Sequence, residues 1–145
     1  MGVLINLNTK RDNEVNDKTK ITKLIIPLAG LGTRFLPTST AYPKEMAHLV
    51  DKPVIQYIVE EAYLSGIKEI IFILNMDKVI IQKYFSAKHQ QKYIKKAFRD
   101  SSKIPSDLRD LDNLYKKIKL RYIIKDSTLG DGHSIFLAKT YIKPG

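Results

Sequence analysis

Arg34 and Lys44 are the residues of this chain best placed to do chemistry, because the residues around each one fix its position. Arg34 closes the run Gly30-Leu31-Gly32-Thr33-Arg34, which follows the apolar stretch Lys23 to Leu28, and Lys44 comes directly after Pro43. A buried strand delivers the chain to a fixed edge, and the glycines let backbone N–H groups turn toward an anion. Arginine then offers a planar fork for phosphate oxygens and lysine a movable point charge. Pro37 and Pro43 restrict the loop between the two cations. Together these parts suit gripping a nucleoside triphosphate by its phosphates. Neither generic phosphate loop fits: a dinucleotide fingerprint needs glycine where Phe35 stands, and a Walker loop needs Gly-Lys-Ser/Thr where this chain has Gly-Thr-Arg.

The elements that must hold these residues read as alternating strands and helices. Lys23 to Leu28 predicts a strand buried on both faces of a parallel sheet. Pro53 opens a helix whose face carries Ile55, Ile58, Val59, Ala62 and Tyr63, and Ser65-Gly66 ends it. Glu69 to Leu74 predicts a second strand and Lys78 to Phe85 a second helix, making a βαβ unit with a right-handed crossover. Lys88 to Lys119 reads as two polar helices broken at Ser101 to Pro105, Leu120 to Ile124 as a third strand, and Gly132 to Tyr141 as a helix opened by a glycine turn. This is the first half of a doubly wound, Rossmann-like α/β sheet, and both glycine turns land beyond the carboxyl ends of strands, where such folds bind ligands. Tyr57, Phe72 and Phe85 read as core. Residues 1–20 read as a mobile tail, with residues 21–145 forming the domain.

The motif Gly30-Leu31-Gly32-Thr33-Arg34-Phe35-Leu36-Pro37, followed by Pro43-Lys44-Glu45-Met46 and Val50-Asp51-Lys52-Pro53, resembles the signature of the sugar-1-phosphate nucleotidyltransferases. Within them it is similar to the bacterial UTP:glucose-1-phosphate uridylyltransferase branch. Lys78, Ile81 and Phe85 fall at matching positions, and Gly130-x-Gly132-His133 looks like the family's G-x-G-H turn, so the likeness runs from about Thr22 onward. The resemblance implies a three-layer, GT-A-like nucleotidyltransferase fold, truncated here to its N-terminal nucleotide-binding half. It implies uridylyl transfer from UTP to glucose 1-phosphate, giving UDP-glucose and pyrophosphate with Mg²⁺. Arg34 and Lys44 take the catalytic positions, and Leu28, Ala29, Gly30, Leu31, Gly32 and Thr33 bind the nucleotide. Gly130 matches the residue that lets uracil approach the backbone. Glu45 either touches the nucleotide or holds Lys44 in place, and His133 reads as a structural member of its turn.

Several positions depart from the family pattern. Thr40 stands for a lysine, Ala47-His48 for Leu-Pro, and Lys125 for a glutamine that reads the base edge. An ammonium only donates, whereas an amide also accepts, so uracil selectivity changes if Lys125 faces the base. Leu74 replaces a small residue and is expected to crowd the pocket. The family's metal-binding carboxylates would fall beyond residue 145, so no metal ligand is assigned. A non-catalytic nucleotide-binding remnant, or a regulatory partner of a full-length enzyme, is therefore the alternative reading, with a missing C-terminal half or a second copy as the expected associate.

Composition narrows the remaining classes. A net charge of +10 invites a nucleic-acid partner. The lysines are spread along the chain, as at Lys92, Lys95, Lys96, Lys116, Lys117 and Lys119, which favours a solvated basic surface and no nucleic acid. No apolar run approaches the roughly 20 residues of a membrane helix. The absence of cysteine fits a cytoplasmic protein.

Overall fold

The computed structural model describes residues 21–98, 102, 104–126 and 130–142; the tail expected over residues 1–20 and part of the break at 101–105 lie outside them. Strand β1 (Lys23–Pro27) leads through three one-turn 3-10 helices to a small hairpin of β2 (His48–Leu49) and β3 (Lys52–Pro53). Helix α1 (Val54–Leu64), strand β4 (Glu69–Leu74), helices α2 (Val79–Tyr84), α3 (Ala87–Ala97) and α4 (Ser106–Lys117), strand β5 (Lys119–Ile124) and helix α5 (Asp131–Leu137) follow.

β1, β4 and β5 form a parallel sheet in that order, with Ile25 opposite Ile71 and Ile71 opposite Arg121. Because the strands lie side by side in chain order, right-handed crossovers put both connections on one face. Strand parity sets what each face carries. Ile70, Phe72 and Leu74 point at Ile55, Val59 and Ala62 of α1 and at Ile81 and Phe85, with Leu114 and Tyr115 packed at the margin. Phe72 stacks on Phe85 with ring centroids 5.6 Å apart and on Tyr122 at 5.5 Å. Ile71 and Ile73 point the other way, against Ala138, Leu137 and Tyr141. α5 and the turn Lys139–Tyr141 thus make the third layer of an α/β sandwich.

Several expectations shift. The strand buried on both faces is β4, whose Ile70 to Leu74 are all fully buried; β1 stands at the edge of the described sheet and is half-buried. Pro53 is not the first helical residue but precedes it, in extended conformation at φ −63° and ψ 146°. Ile58 lies 37% exposed and outside the core. Tyr57 is also no core residue: its hydroxyl donates to Asp51 Oδ1 at 2.7 Å and the Leu49 carbonyl at 2.9 Å, closing the hairpin. At the opposite end of the sheet Glu69 gathers Arg121, Lys23 (3.6 Å) and Lys119 (3.7 Å), which ties the amino ends of all three strands.

Candidate functional site

The site begins where the strands part. The Leu28 amide still bonds the Ile73 carbonyl at 2.8 Å, and beyond it the β1 and β4 chains separate. There the Asn75 side chain takes over, donating from Nδ2 to the Ala29 carbonyl at 3.3 Å while its Oδ1 accepts from the Lys78 amide at 3.1 Å. Leu28 and Ala29 are buried, which leaves the Leu28 carbonyl and the Ala29 amide as the backbone groups they can offer a ligand.

The two glycines of the turn play different parts. Gly32 takes φ 68°, a left-handed conformation, and a Cβ there would stand 3.3 Å from Ser39 Cβ and 3.6 Å from Lys44 Cδ. Gly30 is not in the left-handed region, and a Cβ there would meet nothing within 4 Å. The turn itself therefore needs Gly32, whereas Gly30 leaves its backbone open to close approach. Leu31 is 73% exposed beside them.

Thr33 and Arg34 lie on the first 3-10 turn, Thr33–Phe35, closed by the Phe35 amide on the Gly32 carbonyl at 2.9 Å. Arg34 is exposed and makes no ion pair among the described residues. Lys44 and Glu45 lie on the third, Lys44–Met46, where the Tyr42 hydroxyl bonds the Met46 carbonyl. Lys44 reaches back to the turn at Gly32. The Glu45 carboxylate is buried, with Oε1 3.8 Å from Lys44 Nζ and 2.8 Å from Lys78 Nζ. A cavity of about 510 Å³ opens beside these turns, lined by Leu31, Thr33, Ser39, Tyr42, Asn75 and Lys78 among others.

The second glycine turn follows the far strand. The Lys125 amide bonds the Leu74 carbonyl at 2.9 Å, so Lys125 stands at the carboxyl end of β5, exposed. Gly130 precedes α5 at φ 99°, and its carbonyl accepts from both the amide and the hydroxyl of the buried Ser134, each at 3.1 Å. With β4 between them and neighbouring strands about 4.8 Å apart, the ends of β1 and β5 lie about 10 Å from each other. The fold therefore gathers Leu28 to Arg34, Lys44 and Glu45 around β1 and puts Lys125 two strands away along the same edge, while Gly130 opens α5, which packs across the sheet against β1. Leu74 ends β4 at that edge, but its side chain is fully buried among the core residues facing α1 and α2, so it crowds no pocket.

Three residues of the site are not read as such from the sequence, where Lys78 stands only at a family-matching position. Asn75, Lys78 and Ser134 are buried polar side chains whose partners lie elsewhere in the chain or in a turn of unusual geometry. The only local signal is Lys78 itself, a charged residue among apolar neighbours at a helix start.

The described residues do not fit a divalent cation. Among the described residues no three His, Cys, Asp or Glu side chains converge, and the carboxylate nearest the turn, Glu45, already has the Lys78 ammonium against it. Also among the described residues, no helix is long and apolar enough to cross a membrane.

The fold and the edge just described define a parallel, three-layer α/β protein of the Rossmann-like class. The chain belongs to the nucleotidyl transferase family, whose profile matches residues 23–144. It is 42% identical over 125 residues to a UTP–glucose-1-phosphate uridylyltransferase of Bacillus subtilis, covering 86% of this chain and 41% of that protein. A UTP–glucose-1-phosphate uridylyltransferase of Streptococcus pyogenes is likewise 42% identical, with 86% and 40% covered. Among solved structures, the UDP-glucose pyrophosphorylase of Acinetobacter baumannii superposes with a TM-score of 0.72 at 32% identity, over 86% of this chain and 42% of that one. A UTP-bound form from the same organism gives 0.70 at 33% identity, over 84% and 42%. The chain thus spans about two fifths of the length of the relatives it matches.

Proposed function

We propose that this chain forms the nucleotide-gripping part of a UTP:glucose-1-phosphate uridylyltransferase. The observation that carries the reading is the left-handed Gly32 turn at the end of β1, followed by three short turns of which the first carries Arg34 and the third Lys44, around one open edge. The relatives' names support the choice of UTP and glucose 1-phosphate.

In the reaction a glucose 1-phosphate oxygen forms a bond to the α-phosphorus of UTP while the bond from that phosphorus to the bridging oxygen breaks, and pyrophosphate leaves. Such a displacement asks the protein for position and positive charge more than for covalent help. Arg34 grips phosphate oxygens in a fork, and Lys44 follows the charge that gathers on the leaving group. The Gly30 backbone lets the nucleotide lie against the strand end, and Gly130, at the start of α5, receives the base. Glu45 serves as a counter-ion inside the loop. Mg²⁺, which the family resemblance implies, would take carboxylates other than those described.

UTP titration against the wild type and Arg34→Ala tests the reading. Losing one charged phosphate contact costs about 1.5–3 kcal/mol, so affinity is expected to fall roughly tenfold to a hundredfold. Equal affinities at low salt would remove Arg34 from the site.

A further inference from the structure

The buried ion pair between Glu45 and Lys78 joins segments 33 residues apart. Glu45 shares a 3-10 turn with Lys44, and its Oε1 is divided unequally, 2.8 Å from Lys78 Nζ and 3.8 Å from Lys44 Nζ. Its Oε2 is buried and has no hydrogen-bond partner among the described residues. Lys78 is fixed in turn, since its amide is capped by Asn75, which also holds the Ala29 carbonyl. One continuous network thus runs from the turn after β1, past the end of β4, to the loop that carries Lys44.

A buried carboxylate needs a cation close against it. Lys78, only 5% exposed, fills that need, while Lys44, with 42% of its side chain exposed, keeps its ammonium at the open edge. Without the Lys78 ammonium, Lys44 is the one cation among the described residues within reach of Glu45. It would close the remaining distance and be lost to a ligand. We propose that Lys78 is a positioning residue: by neutralising Glu45 it holds Lys44 in reserve for the phosphates of the bound nucleotide. The proposal rests on the reading of this turn as a nucleotide site.

The test is UTP titration of the wild type, Lys44→Ala, Arg34→Ala, Lys78→Met and Glu45→Gln/Lys78→Met, with Lys44→Ala added to the last two. Lys44→Ala is expected to weaken binding about tenfold in the wild type. Lys78→Met should weaken it about as much by itself, and adding Lys44→Ala to it should then change affinity less than about twofold, because the two act as one unit. Removing both charges in Glu45→Gln/Lys78→Met abolishes the trap without leaving a buried orphan. Binding should recover to within about threefold of the wild type, and Lys44→Ala should again cost about tenfold. If Lys44→Ala costs the same in Lys78→Met as in the wild type, or if the double variant binds as poorly as Lys78→Met, the proposal is overturned. If Arg34→Ala and Lys44→Ala leave UTP affinity untouched in the wild type, the nucleotide reading itself falls, which is a different result from either.

Discussion

Gly30 and Gly32 stand two residues apart in one turn, and replacing each by alanine should separate a folding requirement from a binding one. At Gly32 the backbone is left-handed at φ 68°, and the added methyl would come within 3.3 Å of Ser39 Cβ and 3.6 Å of Lys44 Cδ. A left-handed L-residue costs about 1–2 kcal/mol, and the Ser39 contact adds to that because the neighbour must move. Gly32→Ala is thus expected to lower unfolding free energy by at least about 1–2 kcal/mol and to displace Lys44. At Gly30 neither strain nor contact applies, since nothing lies within 4 Å of the new Cβ. Its stability should stay within about 0.5 kcal/mol of the wild type, with any change tending upward because alanine narrows the unfolded ensemble. If UTP lies against that backbone, however, the methyl occupies the ligand's own space, and the dissociation constant should rise at least about tenfold, or about 1.4 kcal/mol. Urea denaturation measures the first effect and UTP titration the second. A Gly30→Ala chain that is as stable as the wild type and binds UTP equally well would refute the idea that the nucleotide passes over Gly30.

Three further outcomes follow from other parts of the molecule. Lys125→Gln, at the carboxyl end of β5, should raise the UTP to ATP affinity ratio, since an amide can both donate to and accept from a base edge; an unchanged ratio means that Lys125 does not face the base. The Arg121 hydrogen bond, aided by the charges of Arg121, Lys119 and Lys23 and opposed by burial, holds the Glu69 carboxyl below its ordinary value of 4.5. Its contribution to stability is complete above that value and drains away as pH falls through the lowered one, so the stability gap between the wild type and Glu69→Gln should close on acidification below pH 4.5. A gap constant with pH would show that Glu69 acts by packing alone. Finally, the 145-residue polypeptide by itself is expected to release no pyrophosphate from UTP plus glucose 1-phosphate and Mg²⁺, as the described residues bring together no carboxylate set for the metal. Robust release abolished by Lys44→Ala would show that these 145 residues suffice.

What the sequence discloses and what it conceals divide along local and non-local lines. The β1 strand, the glycine turn, α1, β4 and the split between α3 and α4 can be read because each is a run of one hydrophobic pattern punctuated by glycine, proline or serine. The hairpin of β2 and β3 cannot, since two-residue strands hold no period. Leu74 misleads because its expected crowding came from the family's small residue at that strand end, whereas strand parity decides which way the side chain points. Here Leu74 shares the core parity of Ile70 and Phe72. Likewise nothing near Glu45 announces Lys78, because an ion pair across 33 residues is a property of the folded sheet and not of either segment.

The segment from Gly32 to Met46 has a consequence for how the protein breathes. It is held by three single 3-10 turns, the first two without a buried residue and the third burying Glu45 and Met46, and is anchored at its root to β4, whose residues Ile70 to Leu74 are fully buried. Short turns with exposed amides open at little free-energy cost, whereas a buried central strand opens only with the whole molecule. In deuterium the amides of residues 33–46 should therefore exchange early and those of 70–74 last. The loop proposed to meet the phosphates is then a soft segment growing from the hardest strand of the described fold, so a bound anion would register chiefly as slowed exchange at residues 33–46.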